Sequence, residues 1–71
     1  MDGLRLGNRI RAFRKLKGYT QQEFAKELGI SVAVLGSIER GMKTPTEKML
    51  NRMVNILDVG VGELRAQEEE N

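Results

Sequence analysis

The feature that most constrains this chain is a pair of helix-length segments with almost nothing between them. Residues Thr20 to Gly41 read TQQEFAKELGISVAVLGSIERG. Thr20-Gln21-Gln22-Glu23 is a capping box. The Thr20 hydroxyl can accept from the amide three residues on, and the Glu23 carboxylate can reach back to the amide of Thr20. Phe24, Ala25 and Leu28 then share one helical face. Gly29 stops that helix, because glycine takes the left-handed conformation of a C-terminal turn without a Cβ penalty. Only Ile30 stands between Gly29 and Ser31, a good N-cap for a second helix. Leu35 and Ile38 lie on the inner face of that helix, and Gly41 ends it. Two helices joined by a short turn containing glycine make a helix-turn-helix.

The rest of the chain supplies a frame for this pair. A first helix is expected from about Leu6 to Lys17, with Leu6, Ile10 and Phe13 as its apolar stripe, Leu16 half-exposed and Gly18 at its end. Met1 to Leu4 reads as a frayed start. Tyr19 precedes the Thr20 cap, where it can pack on Phe24 as a hydrophobic staple. Met42-Lys43-Thr44-Pro45 is a polar connection in which Pro45 holds Thr44 extended. Thr46 caps a fourth helix reaching about Leu57, with Leu50, Met53, Val54 and Leu57 inward. A short fifth helix is expected over about Val61 to Ala66. Gln67 to Asn71 is acidic, lacks apolar residues and reads as a disordered tail. With no strand alternation, repeat or linker, residues 1–66 make one all-α, five-helix bundle. Its core is expected to hold Leu6, Ile10, Phe13, Phe24, Ala25, Leu28, Ile30, Leu35, Ile38, Leu50, Met53, Val54, Leu57 and Leu64.

Composition excludes several function classes. A 71-residue chain buries only about 60% of the surface it exposes when unfolded. It contains no cysteine and no histidine, so a disulfide frame, a thiolate metal site and the usual catalytic base and nucleophile are all missing. Zinc would depend on carboxylates alone. Gly60-Val61-Gly62-Glu63 has neither the lysine nor the spacing of a phosphate-binding loop. No enzymatic activity, metal or cofactor is expected, and no small-molecule effector is evident. The longest apolar run falls far short of the ~20 residues of a membrane span, and no secretory signal is expected at the charged start.

The helix pair resembles the helix-turn-helix of the phage Cro and repressor (Xre-like) family of DNA-binding domains. The resemblance rests on Thr20, Gln21, Glu23, Ala25, Leu28, Gly29, Ile30, Ser31, Leu35, Ile38, Glu39, Arg40 and Gly41. It extends to Arg9, Ile10, Arg11, Arg14 and Gly18 before the motif, and to Pro45, Leu50, Leu57, Val59, Glu63 and Leu64 after it. It covers roughly residues 6 to 65 and implies a compact bundle of the phage-repressor type. Two positions depart from the family: Asp58 stands where a glycine is usual, and Gly60 where a Ser or Asp cap is usual.

The resemblance implies a sequence-specific regulator of transcription, a repressor, that binds double-stranded DNA in a bacterial or phage-encoded setting in the cytoplasm. The helix from Ser31 to Arg40 would enter the major groove with its first residues at the base edges. Its outward face is Val32, Ala33 and, one turn later, Gly36 and Ser37. Val32 and Ala33 cannot hydrogen-bond to a base but can touch a thymine methyl, and Ser37 can donate or accept. Gly36 lacks a side chain, which would let the backbone come close to the DNA. Gln21, at the start of the first motif helix, and Arg40, Lys43 and Thr44, after the second, fall where family members hold phosphates. Arg14 and Glu39 form an ion pair in the family, beneath the phosphate-binding surface. Arg11, Lys15 and Lys17 fit a phosphate-facing or a merely solvated face equally well.

Net charge is only +2, but its distribution is uneven. Met1 to Gly18 carries Arg5, Arg9, Arg11, Arg14, Lys15 and Lys17 against Asp2, while the last residues are mostly acidic. Met49, Ile56, Val59 and Val61 form a second apolar row on the later helices. They fit a homodimer face, or they close the core. The rival to DNA binding is a protein-interaction module, such as an antitoxin or anti-repressor partner, that uses the apolar Val32-Ala33-Val34 surface.

Overall fold

The computed structural model describes residues 3–65. They form five helices: α1 (Gly3–Leu16), α2 (Gln21–Leu28), α3 (Val32–Glu39), α4 (Glu47–Leu57) and α5 (Val61–Leu64). The expected tail at 67–71 lies outside the described residues, and the fifth helix ends at Leu64 rather than at about Ala66.

Local chemistry sets each boundary. At α2 the capping box is complete: Glu23 N–H donates to Thr20 Oγ1 at 3.0 Å, and Thr20 N–H donates to Glu23 Oε1 at 2.9 Å. Ser31 and Thr46 cap α3 and α4 in the same way, accepting from Val34 and Met49 amides at 3.1 Å each. Gly18, Gly29 and Gly41 all have positive φ. At each, the next amide reaches back across the last turn: Tyr19 to Arg14 O, Ile30 to Ala25 O and Met42 to Ser37 O. The rings of Tyr19 and Phe24 lie 5.7 Å apart and tilted, forming the staple. Asp58, at the position where glycine is usual, nevertheless takes the left-handed conformation (φ 59, ψ 49). α5 has no side-chain cap; the Glu63 carboxylate accepts from the Gly60 amide at 3.4 Å instead.

Both boundaries of α1 also differ from the sequence expectation. α1 begins at Gly3, so Leu4 is helical rather than frayed. Leu6 and Gly7, in the first two turns of this helix, are already buried. At the other end the helix stops at Leu16 rather than Lys17, and Leu16 is 74% exposed rather than half-exposed.

One apolar core joins the helices: Leu6 and Ile10 from α1, Phe24, Ala25 and Leu28 from α2, Leu35 and Ile38 from α3, Leu50, Met53 and Leu57 from α4, and Leu64 from α5. Phe13, Ile30 and Val54, expected inside, pack against this core from its margin and stay partly exposed. The tightest helix contact is at Gly7. A Cβ there would collide with the carbonyl oxygens of Ile38 and Glu39, the latter at 2.6 Å. α1 therefore lies backbone to backbone against the last turn of α3.

Candidate nucleic-acid interface

α3 presents two faces. Leu35 and Ile38 are buried in the core, and Val34 is packed against it. The opposite side begins with Val32, 39% exposed, and the exposed Ala33; Ser37 follows one turn later, partly exposed. Val34 thus belongs to the inner face, and an outward Val32-Ala33-Val34 surface does not form. Helical geometry is the reason: Val34 precedes Ile38 by one turn and shares its side.

Gly36 requires a correction. It was expected to lie open on the outward face, but it is buried. A Cβ built on it would stand 3.1 Å from Arg40 Nη1 and 3.8 Å from Gln21 Nε2. A helical side chain leans back toward the N-terminus, so Arg40 lies over the residue four places before it.

Beneath this surface is a polar network. Arg14 Nε donates to Glu39 Oε2 at 2.7 Å and Arg14 Nη2 to Oε1 at 3.3 Å. Both residues are almost fully enclosed, at 6% and 3% exposure. Gln21 Nε2 donates to Glu39 Oε1 at 3.0 Å, and Arg14 Nη1 donates to the Tyr19 carbonyl at 2.8 Å. The Glu39 carboxylate is therefore answered on both oxygens, and its charge is compensated by the Arg14 guanidinium. Gln21 keeps a second amide hydrogen and remains partly exposed at the start of α2. Lys43 and Thr44 are exposed in the connection after α3, and Arg40 is exposed at its end.

Arg9 has a role the local sequence did not signal. Its Nε donates to Leu64 O at 3.0 Å and its Nη2 to Glu63 O at 2.7 Å, while its guanidinium carbon lies 5.5 Å from the Phe13 ring centroid. A cation thus holds the last carbonyls of α5 against α1. Two of the cations of the first helix, Arg9 and Arg14, are consequently engaged inside the domain. Arg5, Arg11, Lys15 and Lys17 are exposed. Of the second apolar row, Met49, Ile56 and Val59 are packed against the core, and only Val61, at 42% exposure, stands clear of it.

A family model described as helix-turn-helix matches residues 10–64, an interval that includes the motif, its ion pair and α4. The chain belongs to the Xre-like helix-turn-helix family. Within that family it is 52% identical over 63 residues to the uncharacterized HTH-type transcriptional regulator YazB of Bacillus subtilis strain 168, covering 89% of this chain and 91% of YazB. It is 38% identical over 66 residues to the HTH-type transcriptional regulator SinR of the same strain, covering 92% of this chain but only 60% of SinR. The crystal structure of SinR in complex with DNA superposes with a TM-score of 0.76 at 40% identity, over 83% of this chain and 95% of that one. The restriction-modification controller protein C.AhdI of Aeromonas hydrophila superposes with a TM-score of 0.83 at 28% identity, over 89% of this chain and 96% of that one. The family is one of transcriptional regulators, not of enzymes. No described helix is long and apolar enough to cross a membrane.

Proposed function

We propose that this helix-turn-helix chain is a double-stranded-DNA-binding transcriptional regulator, a repressor, that occupies an operator by placing the start of α3 in the major groove. The observation that carries this reading is the exposed Val32-Ala33-Ser37 strip, presented at the start of a helix whose other side is locked into the core. Val32 and Ala33 are suited to thymine methyls and Ser37 to a base edge or a phosphate. Gln21, Arg40, Lys43 and Thr44 flank the strip and are suited to hold backbone phosphates, which fix register without reading sequence. The family and the DNA complex of the relative SinR support it. No observation favours the rival protein-interaction reading, since Val34 is turned inward. A regulator of this kind acts in the cytoplasm, where bacterial or phage DNA is found.

One recognition helix spans only a few base pairs, so the working unit is a homodimer on two half-sites about 34 Å apart. Val61, with the exposed edges of Met49, Ile56 and Val59, is the apolar face available for it.

Selection from a random duplex library tests the reading. The expected product is a two-fold symmetric site with thymine-containing steps in each half, bound with an affinity that falls steeply with log salt. Recovery of no enriched sequence, or an affinity indifferent to salt, overturns it.

A further inference from the structure

Helices α1, α2 and α3 meet around an open depression lined by Leu4, Asn8, Arg11, Gln21, Glu39 and Arg40. Its carboxylate is already occupied: Glu39 is 3% exposed and accepts from Arg14 and Gln21. Two guanidinium groups remain, Arg11 from the middle of α1 and Arg40 from the end of α3. Both are exposed, and neither forms an ion pair with a described residue. Two cations from different helices lining one depression beside a neutralised carboxylate, with an amide donor at hand, suit an oxyanion.

Gly36 explains how Arg40 reaches this place. The Arg40 guanidinium lies where a side chain on residue 36 would otherwise start, with Nη1 3.1 Å from the ideal Cβ position and Gln21 Nε2 just beyond at 3.8 Å. At 3.1 Å a methyl group would sit tighter than an ordinary contact, and the guanidinium would have to give by a few tenths of an ångström. Gly36 has no positive φ and so needs no glycine for its backbone conformation. Inside a helix, glycine is a poor residue on propensity grounds. The space above it is what the structure uses.

We propose that this depression receives one phosphate of the DNA backbone, held by Arg40, Arg11 and the second amide hydrogen of Gln21, and that Gly36 is the positioning residue that admits Arg40. The proposal rests on the DNA-binding reading above and adds an α1 residue and a helical glycine to it. It separates stability from binding at one position. Gly36→Ala improves helix propensity, so the melting temperature stays level or rises, while DNA affinity falls. A merely structural glycine would move both in the same direction.

The test is a titration of fluorescent operator duplex, taken from the library selection, with the full chain at several salt concentrations between about 50 and 200 mM. Arg11→Gln and Arg40→Gln should each lower the slope of log affinity against log salt by about 1. Gly36→Ala should weaken binding by about 2- to 10-fold, the worth of one ordinary net hydrogen bond. In the Arg40→Gln background the same substitution should have no further effect, because it acts through Arg40. An unchanged salt slope in either arginine variant overturns the proposal. So does a Gly36→Ala loss that persists undiminished without Arg40, which would mean that the new methyl meets the DNA itself. Wild-type protein that binds no duplex at all overturns the DNA-binding reading as well; the other two outcomes overturn the phosphate site alone.

Discussion

The side-chain nitrogen of Gln21 stands 3.0 Å from Oε1 of Glu39, the carboxylate whose Oε2 is held by Arg14 at 2.7 Å. Three helices are thereby joined through one buried group: Arg14 belongs to α1, Gln21 to α2 and Glu39 to α3. The start of α2 and the end of α3 are fixed relative to each other at the surface where phosphate contacts are proposed. The exposed strip of α3 is consequently carried on a frame that resists rotation.

Removing one side of this network strands the other. Glu39→Ala leaves the Arg14 guanidinium buried without its partner, at an expected cost of about 3–5 kcal/mol. A domain of this size has roughly 4–10 kcal/mol in all. Urea denaturation followed by circular dichroism should show a much lower midpoint. The double substitution Arg14→Met with Glu39→Leu removes both charges and should cost less than Glu39→Ala alone. A loss below about 1 kcal/mol for the single variant would put the pair in the class of exposed ion pairs.

At Gly7, the backbone contact between α1 and α3 leaves no room for a methyl group. Gly7→Ala improves helix propensity by about 1 kcal/mol, yet it meets two carbonyl oxygens that cannot swing aside. The net expectation is a destabilisation of about 1–3 kcal/mol. Thermal melts of the two proteins decide the sign: a higher melting temperature for the alanine variant would mean that the helices are not in backbone contact there.

How much of this was legible beforehand follows from how local each signal is. The caps at Thr20, Ser31 and Thr46 and the stops at Gly18, Gly29 and Gly41 are written in consecutive residues, and the helices begin and end around them. The inward placing of Leu35 and Ile38 on α3 follows from period alone. Gly7, Arg9 and the cover over Gly36 were not legible. Gly7 answers to residues more than thirty positions away and Arg9 to residues more than fifty away, so no spacing announces them. A glycine within the apolar stripe of Leu6 and Ile10 was the one available hint of close helix packing. Gly36 looked outward by helical angle, but a periodic pattern does not show that Arg40 folds back over it.

Arg9 makes a further forecast possible. α5 is a single turn, and its last carbonyls are held by that guanidinium. Arg9→Ala should release them, costing about 1.5–3 kcal/mol as charge-assisted bonds are lost. Hydrogen exchange is the sharper readout. The amides of Leu64 and Arg65 should lose protection while those of α2 and α3 keep theirs; an even loss across the domain would mean that α5 unfolds only with the whole.

Asp58 offers a gain instead of a loss. It is the only non-glycine residue with positive φ among those described, and it ends α4 where glycine carries no Cβ penalty. Asp58→Gly is expected to stabilise the domain by about 0.5–1 kcal/mol, less whatever the glycine adds to the entropy of the unfolded chain. A rise of a few degrees in melting temperature is the result to look for, and a fall would count against strain at this turn.

The Val32-Ala33-Ser37 side of α3 is proposed to face the edges of base pairs. Ala33→Glu tests it most directly, because Ala33 is exposed and a carboxylate there would point into the groove. The measurement is operator affinity of this variant beside its melting temperature. Specific binding should be lost with the fold intact. Undiminished binding by a folded Ala33→Glu protein would contradict it.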